Sequence, residues 1–145
     1  MREDIQALIC RNNRCVLATV SGDRPHCSLM SYVADPQCRE LYMVTLRDTR
    51  KFANLLANPR ASLLIDTREE DAGGRAGGTK AVTVHGVFRA IADPAKKAAV
   101  RAQLAVAHPQ LQEFISNPEA ELLCISVESV LLLEGVSELY FEKLQ

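Results

Sequence analysis

Apolar and polar residues alternate along several short stretches of this chain, and such alternation predicts β-strands with one buried face. The stretch KAVTVHGVFRAI shows the pattern most clearly. The C-terminal stretch ELLCISVESVLLLEGVSELYFEKL is long enough for two further strands or more. Ahead of it, the pattern predicts strands over 15–21, 26–34, 40–46, 61–66 and 80–91. Strands therefore make up most of the predicted structure.

Apolar residues three or four positions apart predict the helices. On a helix predicted over 3–12, one face is formed by Ile5, Leu8 and Ile9. A second helix, from about 49 to 57, ends at Asn58 because a residue that precedes proline is biased away from helical geometry. Its apolar face is predicted to hold Phe52, Leu55 and Leu56. A third helix begins at Pro94, and PQLQEFIS predicts a short helical piece after it.

The order of these elements predicts a mostly β fold with flanking helices. The turns SGDRP and DPQCR join the first three strands without a helix between them. Parallel strands need a crossover connection, so a parallel α/β sheet is excluded here. An antiparallel barrel with helices packed outside fits best. A glycine-rich segment over 67–79 is expected to be a long loop.

Composition narrows the class of protein. The chain of 145 residues carries 17 basic and 18 acidic side chains, a balance that argues against a general nucleic-acid binder. No apolar run approaches the ~18 residues of a membrane span, and the N-terminus does not resemble a signal peptide. Five cysteines without CxxC spacing favour reduced thiols in the cytoplasm, mostly buried, and give no sign of a zinc site.

Two cations stand at the start of the second helix, in the sequence TLRDTRKFANLL. With Asp48 as the N-cap, Thr49, Arg50 and Lys51 form its first turn. Cations there oppose the helix dipole by about 0.3–1 kcal/mol each when exposed. A phosphate dianion would reverse that sign by accepting the free N–H groups, the hydroxyl and both cationic groups. The alternative is that both cations are solvated or pair with Asp48 and nearby acids.

Three segments, taken in order, carry a resemblance to a known family. CVLATVSGDRPHCSLMSYV looks like an opening hairpin, and ELYMVTLRDTRKFANLLANPRASLLI is similar to a strand, phosphate loop, helix and strand. KAVTVHGVFRAI is similar to the long strand that follows. Together they resemble the pyridoxamine 5'-phosphate oxidase-like, FMN-binding split-barrel family. The resemblance covers roughly residues 5 to 92 and implies a six-stranded antiparallel split β-barrel, as a single domain over 1–145.

This resemblance also implies a homodimer with FMN at the subunit interface. By position, the FMN phosphate would be held by Thr45, Thr49, Arg50 and Lys51. Beside the ring system would run Ser28, Leu29, Met30 and Ser31. That strand would offer backbone groups to the flavin edge, while Leu29 or Met30 would cover a ring face. Without the resemblance, the same four residues predict only an ordinary half-buried strand.

The leading functional hypothesis is an FMN-dependent oxidoreductase that acts on a small molecule, with no catalytic acid or base assigned. One alternative is a non-catalytic FMN carrier or electron-transfer protein. A haem-handling relative would need one of three histidines, His26, His85 or His108, which are interpreted as exposed or structural. A fourth candidate is a split-barrel interaction module whose anion site is empty or binds another phosphate. Activity as a pyridoxamine phosphate oxidase is not expected, because ELYFEKLQ offers only Lys143 as a second cation.

Overall fold

Antiparallel strands of one sheet make up most of the molecule in the computed structural model, which describes residues 1–69 and 78–145. The strands are β1 Arg14–Ser21, β2 Arg24–Ser31, β3 Val33–Ala34, β4 Glu40–Leu46, β5 Arg60–Asp66, β6 Lys80–Arg89, β7 Ala120–Glu134 and β8 Ser137–Lys143. The helices are α1 Glu3–Arg11, α2 Arg50–Ala57, α3 Pro94–Ala107 and α4 Gln112–Ile115, with a 3₁₀ turn at Pro109–Leu111. The mostly β fold with flanking helices is confirmed.

The strands follow the order β2-β1-β5-β6-β7-β4-β3, and every neighbouring pair is antiparallel. On one side β7 pairs with β6, and on the other it pairs with β4 and then with β8. The sheet has eight strands, whereas the resemblance implied six; the antiparallel curled sheet itself agrees with that expectation. The short β3 and the terminal β8 extend it.

One predicted strand is divided in two. The sequence pattern predicts a single strand over 26–34, whereas β2 ends at Ser31 and β3 begins at Val33. Between them lies Tyr32, which is 1% exposed. Its backbone N–H donates to the carbonyl of Asn13 at 3.1 Å and its hydroxyl donates to the carbonyl of Ile9 at 2.6 Å. These bonds hold the chain at the point where it stops pairing with β1 and begins to pair with β4.

The helices cover the open ends of the sheet. Ile5, Leu8 and Ile9 of α1 are buried, as predicted. Phe52 and Leu55 of α2 are also buried, but Leu56 is 64% exposed, so its predicted place on the inner face was wrong. The inner position belongs to Asn54, whose side-chain amide donates to the hydroxyl of Thr19 in β1 at 3.0 Å.

Gly86 marks an irregularity at the centre of the sheet, where the β6–β7 register shifts between His85 and Gly86. A Cβ atom placed there would lie 2.5 Å from the carbonyl oxygen of Ser126 and 2.7 Å from a methyl carbon of Ile125. Because the first of these is a backbone atom, the neighbour cannot move aside cheaply. Glycine is therefore required for this close approach of two strands.

The predictions for the 67–79 segment and for the cysteines have different outcomes. Most of the loop predicted over 67–79 lies outside the described residues. All five cysteines are free thiols; burial of Cys15 agrees with the prediction and raises its pKa to about 12, whereas Cys27 is exposed, against the prediction. Within the described ranges, no helix is long and apolar enough to cross a membrane.

Candidate functional site

The start of α2 is capped by Thr49, not by Asp48 as the sequence reasoning assumed. Thr49 has extended backbone geometry, and its hydroxyl oxygen accepts from the N–H of Phe52 at 3.3 Å. The same hydroxyl donates to the carbonyl of Leu46 at 2.9 Å. The first helical residue is therefore Arg50 and the second is Lys51. The hydrogen bond that caps this helix is thus accepted by a neutral hydroxyl and not by a carboxylate.

Two cations, Arg50 and Lys51, occupy this first turn. Arg50 is exposed and Lys51 is half-buried. The first turn of α2 contains no acidic residue. Among the described residues neither cation makes an ion pair, and Asp48 therefore does not neutralise them. The backbone N–H groups of Arg50 and Lys51 have no acceptor within the helix, as in any first turn. Positive charge and free donors thus coincide.

Thr45 supports this turn from below. It lies near the end of β4, opposite Glu121 of β7, and is only 2% exposed. Its hydroxyl lies 3.3 Å from the hydroxyl of Thr49. The structure therefore brings together the four residues that sequence reasoning assigned to a phosphate. Thr45 is buried, however, and its hydroxyl contacts only the hydroxyl of Thr49 among these residues. It is therefore placed to orient the Thr49 hydroxyl.

The second predicted group lies on β2, an edge strand of the sheet. Leu29 is 72% exposed, whereas Met30 is 7% exposed and packs in the main core. Of the two side chains considered as covers for a ring, only Leu29 is free to do so. Ser28 and Ser31 are half-buried, and the Ser28 hydroxyl lies 3.4 Å from Nε2 of His26.

Strand β1 contacts both helix α2 and strand β2, which carry the two groups of predicted site residues. On its inner face, Thr19 accepts from Asn54 of α2. Along its edge, Val16 lies opposite Leu29 of β2. Phe52 of α2 packs in the same core cluster as Met30 of β2. Helix α2 and strand β2 are therefore each held in place by β1 and by the main core.

Sequence reasoning missed a cavity of about 400 Å³ beside Leu29. Its wall includes the Asn12-Asn13-Arg14 turn and extends to Glu69, next to the part of the chain outside the described residues. Thr49, Arg50 and Lys51 do not line it. Only the run of polar side chains at 12–14 signalled it. Its walls are polar on one side and apolar, through Val16 and Leu64, on the other.

A row of side chains crosses the outer face of the sheet at one level. Strand register places opposite one another, from β2 to β8, Leu29, Val16, Leu64, Thr83, Leu131 and Phe141. We call these six residues the outer row. Leu29, Leu64 and Phe141 are 72%, 36% and 59% exposed. Five of the six side chains are apolar, and three of these five are exposed.

The histidines differ in availability. His108 is 2% exposed and its Nε2 lies 2.8 Å from the carbonyl of Tyr32, so the ring donates there and is structural, as predicted. His85 is exposed, and its Nδ1 lies 2.8 Å from the hydroxyl of Ser62. Neither one lies in the first turn of α2. Neither of these two histidines is placed to act as an acid or base at the helix start.

These features define a half-barrel protein with a cationic helix start and an exposed edge strand. Residues 1–134 match the family model for pyridoxamine 5'-phosphate oxidase, and the chain belongs to this family. No curated protein matches the sequence at a significant level.

Solved structures agree on the fold. A haem-binding protein from Mycobacterium smegmatis superposes with a TM-score of 0.84 and 20% identity over 97% of this chain, which spans only 57% of that protein. General Stress Protein 26 from Bacillus anthracis gives 0.72 and 21%, covering 98% of this chain and 97% of the other. An FAD-binding protein from Mesorhizobium loti gives 0.74 and 20%, covering 90% of each chain. At such identities the likeness establishes the split-barrel fold alone.

Proposed function

We propose that this protein is a flavoprotein that binds FMN and catalyses oxidation or reduction of a small molecule. The observation that carries the proposal is the pair Arg50 and Lys51 in the first turn of α2, which forms no ion pair with any residue in the described ranges. Membership of the pyridoxamine 5'-phosphate oxidase family supports it, as does the fold shared with an FAD-binding protein.

The residues present fit a phosphate dianion. Two free backbone N–H groups, the Thr49 hydroxyl and two cationic side chains supply donors of the kind that bind phosphate at helix starts. Arg50 suits a two-pronged contact, and Lys51 supplies a point charge. The Thr49 cap already donates to Leu46, so contact with a phosphate requires that this proton be redirected. The nearby Thr45 hydroxyl is placed to keep Thr49 oriented during that change.

The flavin ring is assigned to the edge of β2. Ser28 to Ser31 present backbone N–H and C=O groups along an edge strand, which can bind the polar rim of a ring. Leu29 is exposed enough to pack against a ring face, while Met30 contributes backbone only. When bound, FMN would supply the electron transfer, and these residues would orient the ring. No residue of this chain is assigned to proton transfer.

A second copy of this chain is the proposed partner. Three side chains of the outer row are exposed in the monomer, and five of its six side chains are apolar. Both features fit a two-fold contact between copies. Leu64 is central in this row, so Leu64→Glu should convert a dimer into a monomer in light scattering. Val106→Glu is the matched control, because Val106 is 82% exposed on α3 and lies outside the row. A monomeric unmodified protein, or dissociation by both variants, would remove this part of the proposal.

The first test is the absorbance spectrum of the purified protein, followed by calorimetry with FMN and riboflavin. Charge-assisted contacts contribute about 1.5–3 kcal/mol each, so riboflavin should bind at least about a hundredfold more weakly than FMN. Equal affinity would show that the phosphate is not the anchor. Absence of binding to either compound would reject the flavoprotein proposal itself.

Two alternatives are separated by further measurements. A carrier or electron-transfer protein would bind FMN but accept electrons only from a protein, so rapid reduction of the bound flavin by NADH or NADPH favours the enzyme.

The second alternative is a haem-handling protein, which the haem-binding protein of the same fold suggests. Because His108 is buried and bonded, haem ligation by histidine falls to His26 or His85. A haem titration that leaves the Soret spectrum of haem unchanged would dismiss it.

A further inference from the structure

Two cysteines from distant parts of the chain meet at the N-terminal helix. Cys10 lies near the end of α1, and Cys38 lies in the turn between β3 and β4, 28 positions later. Their sulfur atoms are 3.5 Å apart, and both are free thiols. This approach is not a local consequence of sequence, because it depends on how α1 docks against the turn.

The turn residue is held in an unusual conformation. Cys38 has a φ of +54°, in the left-handed region that glycine and asparagine usually occupy, and it is the only non-glycine residue with positive φ among those described. Its side chain is 0% exposed, and its sulfur also contacts the carbonyl of Gln6 at 3.8 Å. Both contacts fix the Cys38 sulfur under α1, directed at Cys10.

We propose that Cys10 and Cys38 form a reversible disulfide that fastens α1 to the β3–β4 turn when the protein meets a peroxide. Cys10 is exposed and borders a cavity of about 570 Å³ between α1 and α3, which gives hydrogen peroxide access to its sulfur. Cys38 is shielded and acts second. Burial, with the Cys10 hydrogen bond, raises the pKa of Cys38 to about 12, so its thiol keeps its proton until the step in which it attacks, and its fixed position beside Cys10 is what favours that step.

The chemistry balances with peroxide as the oxidant. The Cys10 sulfur attacks one peroxide oxygen, the O–O bond breaks, and a sulfenic acid and one water form. The Cys38 sulfur then attacks the sulfenic sulfur, the S–O bond breaks, and the second water leaves with the thiol proton. Two thiols lose two electrons and two protons in total, and the peroxide is reduced to two waters. An external dithiol reverses the step by thiol–disulfide exchange.

Peptide mapping of the full chain tests the proposal. After treatment with hydrogen peroxide and alkylation, digestion with trypsin and Asp-N places four cysteines in separate peptides, spanning 4–11, 15–22, 23–34 and 35–39. The expected product joins 4–11 to 35–39, with a loss of two hydrogens that dithiothreitol restores. Early in the reaction, dimedone should label the 4–11 peptide as its sulfenic acid.

A stability measurement and two variants complete the test. The cross-link closes a loop of 28 positions, so the oxidised protein should melt about 5–10 °C higher than the reduced protein. Cys10→Ser should abolish both the cross-link and this rise, while Cys27→Ser, at the other exposed cysteine, should preserve both. Cross-linking through Cys27 alone, or over-oxidation of Cys10 with Cys38 still open to alkylation, would overturn the proposal.

Discussion

Replacement of both cations at the start of α2 should make the ligand-free protein more stable while it removes flavin binding. Arg50 and Lys51 occupy the first two helical positions, where the helix dipole presents partial positive charge. Among the described residues no carboxylate pairs with either of them. The double variant Arg50→Ala, Lys51→Ala therefore removes two unfavourable charges from the folded state.

The expected gain follows from the position and exposure of these charges. Each exposed cation at a helix start costs about 0.3–1 kcal/mol, so the two together cost about 0.6–2 kcal/mol in the absence of a ligand. For a chain of this size, that corresponds to a rise in melting temperature of about 2–6 °C. The affinity for FMN should fall by at least about a hundredfold, because two charge-assisted contacts are lost. Stability and binding thus change in opposite directions.

The assay is urea unfolding of the ligand-free protein, paired with the shift in melting temperature caused by FMN. At a hundredfold excess over the dissociation constant, FMN should stabilise the unmodified protein by about 2.7 kcal/mol. The double variant should show almost none of this shift at the same concentration. Lys97→Ala is the matched control, since Lys97 lies near the start of α3, a helix also capped at its N-terminus. It should change ligand-free stability slightly and leave the FMN shift intact.

Two results would refute this reasoning. A double variant that is less stable without flavin would show that Arg50 and Lys51 have a favourable partner in the folded protein. An unchanged FMN shift would show that the flavin phosphate lies elsewhere, whatever the effect on stability. A gain in stability that Lys97→Ala reproduces in full would point to the helix propensity of alanine instead of the dipole.

The remaining predictions concern the scaffold. Gly86→Ala should destabilise the protein by about 1–3 kcal/mol in urea unfolding, because the added carbon overlaps the backbone of Ser126; a loss below about 0.5 kcal/mol would mean that the strands can separate locally. Burial alone would raise the pKa of Glu40, but hydrogen bonds from Lys96 and Tyr42 outweigh it and the pKa is lowered, so the stability that the pair contributes is fully present above the ordinary value of 4.5 and is lost as the pH falls through the lowered pKa. Lys96→Met should therefore cost up to about 1 kcal/mol at pH 7 and clearly less near pH 3, and an equal cost at both pH values would contradict the assignment.

The parts of the fold that alternate in hydrophobicity were predictable, since each such strand buries one face regardless of its partners. The buried Val82 and Val84 of β6 follow this rule. The buried Ile5, Leu8 and Ile9 of α1 follow the three- or four-residue spacing of a helix face, which was predictable for the same reason. The break at Tyr32 was not predictable. It depends on hydrogen bonds to Asn13 and Ile9, which come from other elements of the tertiary structure.

The candidate site likewise has parts that the sequence predicts and parts that depend on tertiary structure. Its cations were visible because Arg50 and Lys51 begin an amphipathic run shortly after an apolar strand, whereas the identity of the cap depended on which of two adjacent side chains reached the N–H of Phe52. The outer row was invisible in sequence because its members lie on six strands and meet only through register. The approach of Cys10 to Cys38 was invisible for the same reason.

The choice of cap itself bears on function, because this chain caps two helices differently. Asp93 caps α3 and its carboxylate accepts from the N–H of Ala95 at 3.0 Å, whereas α2 is capped by the neutral Thr49. A carboxylate at position 49 would satisfy Phe52 equally well and would attract Arg50 and Lys51, so stability alone would favour it. It would also place a negative charge where a phosphate is proposed to bind. Thr49→Asp should therefore keep or raise ligand-free stability in urea and abolish FMN binding in calorimetry, while Thr49→Ser should retain both; a Thr49→Asp protein that binds FMN normally would place the phosphate away from this helix start.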